Sequence, residues 1–252
     1  MTSSDATRQH HAARVRTLLD ELDTAAPAQV TAAAEVLLDC VAGGGVIHAA
    51  GAGHSLAMVC EMFYRAGGLA CVKPAWDPAV FPLPDAIGST TAEREPGRGR
   101  AVVEKAAPQA PDVMVVFSTS GRNPYPVEIA QESLARGVKV IAVTSLEASA
   151  KASDRSGTRL ADHATVVLDN RVPHGDVVHP AAEPRTAAVS TVLAAYLWSQ
   201  VLVELDELAA VRGVELPRWV SANVPGGDEA NKALLAAYGP RIPALGAAPQ
   251  GQ

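Results

Sequence analysis

Two segments built the same way constrain this fold more than anything else in the chain. Each is an unbroken apolar run that stops at a turn of glycines or hydroxyls and resumes at helical spacing. The first is VIHAA (46–50) followed by Gly51-Ala52-Gly53-His54-Ser55; the second is DVMVVF (112–117) followed by Ser118-Thr119-Ser120-Gly121-Arg122-Asn123. Continuous Val and Ile runs mark strands covered on both faces, as in parallel sheets packed between helices. Further strands are expected at 69–73 (LACVK), 138–143 (VKVIAV) and 164–168, with helices over 54–66, 100–107, 124–136 and 147–155. Strands and helices alternating at this spacing give parallel strands joined by crossovers. The expected fold class is α/β, a three-layer α/β/α sandwich around a mainly parallel sheet.

Apolar residues at helical spacing (Val15, Leu18, Leu19, Leu22; then Val30, Ala33, Leu37, Leu38, Val41) predict two helices, 8–23 and 28–42, before the first strand. The expected organisation is a helical pair at 1–45 packed on a main domain at 46–240, with a flexible tail at 241–252. Segments 74–100 and 169–183 read as long loops, which are usually functional. A helix of about 25 residues is expected from Pro184 to Val211, with no internal Gly or Pro. Its apolar residues wrap much of its circumference, so a second subunit is expected against it, giving a homodimer or higher homo-oligomer.

Charge excludes several classes of partner. The chain has 21 basic and 27 acidic residues, a net −6, and no long run of Lys or Arg. Nucleic acid and anionic lipid are therefore not expected as main partners. The apolar runs fall well short of the ~18 residues of a membrane span, and the polar N-terminus lacks the apolar stretch of a secretory signal. No membrane partner and a cytoplasmic location are expected. Cys40, Cys60 and Cys71 are odd in number and form no CxxC, so buried reduced thiols are expected.

The second turn offers three hydroxyls (Ser118, Thr119, Ser120), the Asn123 amide and the start of a helix with Pro124 in its first turn. These groups make a cradle for a phosphate that needs no Lys. Serines at a turn are also ordinary helix caps, but three hydroxyls ending one buried strand favour a ligand, a small phosphate ester. In the first turn Gly53, His54 and Ser55 let backbone approach a ligand closely. A dinucleotide fingerprint fails there, because Leu56 stands where the third glycine belongs and the next strand ends Val72-Lys73-Pro74 without an acid. No cofactor is expected.

Glu61 follows His54 by seven residues, on the same helical face. Spacing leaves it either an acid–base group or the ion-pair partner of Arg65. Glu93 and Glu95 lie in the first long loop, as a solvated cluster or as part of a site. His174, Asp176, His179 and Glu183 lie in the second, at spacings that match no standard zinc pattern, so no metal is expected.

The stretches GAGHS and FSTSGRNPYPVEIA, with VIAVTSLEASAKASDRSGTRLADHATVVLDNRVPHGD, resemble the SIS (sugar isomerase) family of phosphosugar-binding domains. The resemblance spans about residues 10–240. It implies a turn Ser-x-Ser-Gly-x-Thr that holds the sugar phosphate, here Ser118, Thr119, Ser120 and Asn123, with Asn in place of Thr. It also implies that Gly53, His54 and Ser55 sit near C1 and C2 of the sugar. Members of the family isomerise, eliminate, deaminate or only sense, and fold alone does not choose among these. Its etherases carry one acid on the helix after the first turn and another in the following loop, positions similar to Glu61 and Glu93. Their loop pattern, Glu-Arg-x-Glu-Gly, has Pro96 here at its second acid, so Glu93 is the acid carried over. Similarity to relatives that dehydrate N-acetylglucosamine 6-phosphate implies an elimination in which Glu61 and Glu93 divide acid and base. It implies further that His54 or a histidine of the second loop, such as His179, assists at the carbonyl, and that Glu183 contacts the sugar. Aldose–ketose isomerisation and phosphosugar sensing without chemistry are the alternatives.

Overall fold

The computed structural model describes residues 3–246. Helices α1 (Ser3–Ala25) and α2 (Pro27–Ala42) come first. Pro27 opens α2 at a position where its missing N–H is no loss. Then come β1 (Ile47–Gly51), α3 (Leu56–Met62), β2 (Val72–Pro74), α4 (Ala86–Ala92), α5 (Arg98–Ala106) and β3 (Val113–Phe117). After them follow α6 (Pro124–Ala135), β4 (Lys139–Thr144), α7 (Leu146–Lys151), β5 (Val166–Asp169), a hairpin of β6 (Val177–His179) and β7 (Thr186–Ala188), α8 (Ser190–Arg212) and α9 (Gly227–Tyr238).

Five strands form one sheet in the order β2-β1-β3-β4-β5, and every neighbouring pair is parallel. Every residue of β1 and β3 is buried, as their continuous apolar sequences require. Helices α2, α3 and α8 pack together over one face of the sheet, and α5 and α6 over the other. The expected α/β/α sandwich is present. Because β2 lies on one side of β1 and β3 to β5 on the other, the right-handed crossovers send α3 and α6 to opposite faces. A crevice therefore opens where strand order reverses, between the C-terminal ends of β1 and β3.

The opposite end of the sheet is closed by Asp112, whose carboxylate accepts from the amides of Val46 (2.7 Å) and Gln109 (3.2 Å) and from Arg241 (3.4 Å). His48 Nε2 lies 3.4 Å from the same carboxylate. Burial pushes the Asp112 carboxyl up, but the bonds from His48, Val46 and Gln109 outweigh it and hold its pKa below the ordinary range.

Several expectations are corrected. The stretch 74–100 is not an open loop: Asp77 caps a 3-10 turn at 78–80, Asp85 caps α4 and α5 begins at Arg98. Short capped pieces carry too little periodicity to be read from sequence. The long C-terminal helix starts at Ser190, six residues late, because 184–189 feed β7 and because Asp176, remote in sequence, supplies the cap. The second long loop holds β6 for the same reason. Helix α9 was not expected; its only buried residues are Gly227 and Asn231, so it carries little apolar signal. Among the cysteines, Cys40 and Cys71 are buried, with thiol pKa values pushed up to about 12 by burial, but Cys60 is exposed on α3. Near the C-terminus Ile242 is fully buried and Arg241 donates to the Gly44 carbonyl (2.6 Å), so the expected tail is anchored at 241–242. The end of the expected tail, 247–252, lies outside the described residues. Among the described residues no single helix is long and apolar enough to cross a membrane.

Candidate active site

The crevice is a cleft of about 560 Å³ lined from five directions. The β1 turn contributes Gly53, His54 and Ser55; the β3 turn contributes Ser118, Thr119, Ser120, Arg122 and Asn123; α4 brings Ser89, Thr90 and, at its C-terminal end, Glu93. The loop after β5 adds Asn170, His174 and Asp176, and α7 closes the side with Ala148 and Ala152.

The β3 turn is fastened from below. Ser118 N–H donates to Val143 O, while Thr119 O accepts from Ser145 N–H (3.0 Å) and the Thr144 hydroxyl (3.2 Å). Gly121 has φ +55°, and a Cβ there would stand 3.0 Å from Thr144 Oγ1 and 3.2 Å from Leu160 Cβ. Only glycine closes the turn without strain. Its N–H donates to Ser118 Oγ (3.2 Å) and its carbonyl accepts from Leu160 N–H (2.8 Å). Among the described residues, the N–H groups of Thr119, Ser120, Arg122 and Asn123, and the hydroxyls of Thr119 and Ser120, donate to no protein atom. Consecutive free amides on a turn make an anion-binding nest.

The helix after the turn behaves differently from expectation. Pro124 and Pro126 have no N–H, and the Tyr125 N–H donates to the Glu93 carbonyl (3.3 Å). The first turn of α6 thus offers no free donor, and the donors belong to the turn alone. Asn123, expected to stand in for a phosphate-binding Thr, is 7% exposed and engaged: its Oδ1 accepts from Arg155 (2.8 Å), and its amide favours the ionised form of Glu93. The backbone N–H of Asn123 remains available.

Glu93 is half-buried. Burial pushes its carboxyl up; Arg94, Arg155, Arg122 and the Asn123 amide pull it back, and burial prevails, so its pKa lies above the ordinary range. Arg122 donates to Ser153 Oγ (2.6 Å) and its carbonyl accepts from Ser156 Oγ (2.7 Å), stapling the 152–159 loop to the β3 turn. The arginines at this rim had no motif to announce them.

Four residues singled out from sequence lie elsewhere. Glu61 pairs with Arg65, the alternative left open by spacing, and does not line the cleft. Glu95 pairs with Arg98. His179 sits on β6 in a separate hollow with His10, His11 and Arg14 of α1. Glu183 is 88% exposed beside Arg185. The β6–β7 hairpin carries these last two away from the cleft and leaves His174 and Asp176 facing it. Asp176 is occupied there, accepting from Val189 N–H, Ser190 N–H and the Ser190 hydroxyl at the start of α8. Among the described residues no group of three His, Cys, Asp or Glu side chains is placed to hold a metal ion.

A nest of free amides at the reversal point of a parallel sheet defines a doubly wound α/β protein built to hold a small anionic ligand at its strand ends. The SIS domain profile matches residues 10–145, and the chain belongs to the SIS domain family. A UPF0309 protein of Listeria innocua is 36% identical over 236 residues, covering 92% of this chain and 95% of its own length. A UPF0309 protein of Streptomyces avermitilis is 39% identical over 220 residues, covering 84% and 87%. The fold is shared with a phosphoheptose isomerase from Neisseria gonorrhoeae, with a TM-score of 0.54, 24% identity and coverage of 81% of this chain and all of that one. It is shared too with a phosphoheptose isomerase from Francisella tularensis, with a TM-score of 0.51, 19% identity and coverage of 82% and 100%.

Proposed function

We propose that the chain is a phosphosugar enzyme that dehydrates an N-acetylamino sugar 6-phosphate such as N-acetylglucosamine 6-phosphate. The observation that carries this reading is the placement of Glu93, a desolvated carboxyl, in the same cleft as the free donors of the β3 turn. The phosphate takes the amides and hydroxyls of 118–123. The open-chain aldehyde then lies across the cleft toward Gly53, His54 and Ser55. A base removes the C2 proton, acidified by the C1 carbonyl, the C2=C3 bond forms, and the C3 hydroxyl leaves with a proton as water. The product is an α,β-unsaturated aldehyde. Glu93 is one proton carrier, with a pKa raised toward neutrality as such a role requires. His54, or His174 in place of the His179 expected from sequence, stands by the carbonyl. Glu61 is the second carboxylate of the reading and reaches a cleft only from a second copy of the chain.

A second reading, aldose–ketose isomerisation, draws support from the fold neighbours, which are named phosphoheptose isomerases. It needs one base and no acid for a leaving group. Incubating the protein with N-acetylglucosamine 6-phosphate, and following ultraviolet absorbance and product mass, separates the two. Loss of one water with a new chromophore is expected. A ketose of unchanged mass would establish isomerisation instead, and an unaltered sugar would overturn both for this substrate.

A further inference from the structure

The arginines of this protein are nearly all neutralised, and the exceptions are not scattered. Twelve of them touch a carboxylate. Among the described residues the four that do not are Arg16, Arg94, Arg122 and Arg155, and the charges of the last three all act on Glu93. Arg122 and Arg155 rest on neutral oxygens, those of Ser153 and Asn123. Burial and repulsion by Arg122 and Arg94 hold the Arg155 guanidinium below its ordinary pKa range, with Glu93 opposing. Three cations thus share one carboxylate that none of them contacts as an ion pair. Arrays of like charge around a recess are costly unless an anion joins them.

Asn123 links the two halves of this arrangement. Its backbone N–H belongs to the nest, while its side chain holds Arg155 in the cleft that Glu93 also lines. Arg122 likewise supplies a free N–H to the nest and a guanidinium to the rim. An anion in the turn and the carboxylate of Glu93 therefore compete for the same positive charge.

We propose that Arg122 and Arg155 are positioning residues that couple a phosphate in the β3 turn to the proton on Glu93. With the turn empty, their field favours the ionised form of Glu93 and opposes burial. A phosphate draws that field to itself, and Glu93 takes up a proton from solvent. The carboxylic acid so formed is the donor that the departing C3 hydroxyl needs, and its proton leaves in the water released. The inference rests on the reading of the turn as a phosphate site. It deepens that reading by making substrate binding arm the acid. The other titratable groups facing the cleft are His54 of the β1 turn and His174 and Asp176 of the loop after β5, and Arg94, exposed on the segment of Glu93 itself, adds its charge.

Inorganic sulfate is the probe, because it does not titrate near neutral pH and any proton taken up belongs to the protein. Binding heats measured in buffers of different ionisation enthalpy, over about pH 5–7, count that proton. A tenfold rise in the proton affinity of Glu93 corresponds to uptake of about half a proton at the midpoint. That uptake is expected in the wild type, absent from Glu93→Gln, and at least halved in Arg155→Met, which keeps the carboxylate. Arg155→Lys is expected to restore part of it. Sulfate binding without proton uptake, or uptake that survives Glu93→Gln, overturns the coupling and leaves the phosphate site standing. Failure of sulfate to bind overturns both.

Discussion

Glu93 carries the chemistry of the proposed reaction, and its setting explains why a carboxyl suits it. A carboxyl of ordinary pKa on the surface would be a poor acid near neutrality, whereas burial at the end of α4 raises its proton affinity. Glu93→Gln keeps the shape and removes the titration and the charge, so kcat for product formation is expected to fall by about 100-fold or more while substrate affinity rises by up to about tenfold, the reciprocal of the proposed coupling. Steady-state rates from the ultraviolet assay test this. At this scale the sequence was a partial guide. Ser118, Thr119, Ser120, Gly53, His54, Ser55 and Glu93 could be picked out because each sits at a strand end or beside a recognisable motif. Arg122 and Arg155 could not, because what distinguishes them is the lack of a carboxylate neighbour, a property of three-dimensional packing alone.

At the scale of elements, the site depends on a turn more than on a helix. The first turn of α6 has spent or lost its donors, so the conformation of 118–123 must hold the amides in a concave array. Gly121→Ala is expected to strain the turn by about 1–3 kcal/mol, from its positive φ and the contact with Thr144. Chemical denaturation measures the stability part. Each 1.4 kcal/mol of distortion transferred to binding weakens sulfate or sugar phosphate affinity by about tenfold, which titration calorimetry reads. Strands β1, β3 and β4 were legible as continuous apolar runs, and α2 and α6 as periodic ones. Helix α4, the β6–β7 hairpin and α9 were not. Each is tied by one polar side chain, Asp85 to Gly88, Asp176 to Val189 and Ser190, and Asn231 to Val220, which leaves no periodic trace.

Across the whole molecule the two ends of the sheet divide the labour, with the cleft at one and the Asp112 cluster at the other. Asp112 binds a C-terminal arginine and backbone from two loops, so it closes the chain on itself. Its folded pKa is depressed, so its contribution is present above the unfolded value of about 3.9 and is lost as pH falls through the folded one. Asp112→Asn is expected to cost about 2 kcal/mol at neutral pH and to flatten the loss of stability below about pH 4. Denaturant midpoints across that range check both. Assembly is testable through the two carboxylates. Val203 and Val211 of α8 stand 61% and 84% exposed, as do Leu83 and Ile87 (each 82%) beside the cleft, and these surfaces favour the homo-oligomer proposed from sequence. If a second copy presents Glu61, mixing Glu61→Gln with Glu93→Gln regenerates intact sites and restores activity to about a quarter of wild type at most. Mixtures that stay inactive would remove Glu61 from the neighbour's cleft.

The bond from Tyr125 N–H to the Glu93 carbonyl ties the backbone of the acid to the start of α6, directly after the anion turn. The span between acid and turn is therefore a gauge set by the backbone. A ligand is sorted by how many atoms separate its charged end from its reactive carbon, before any contact along its length is read.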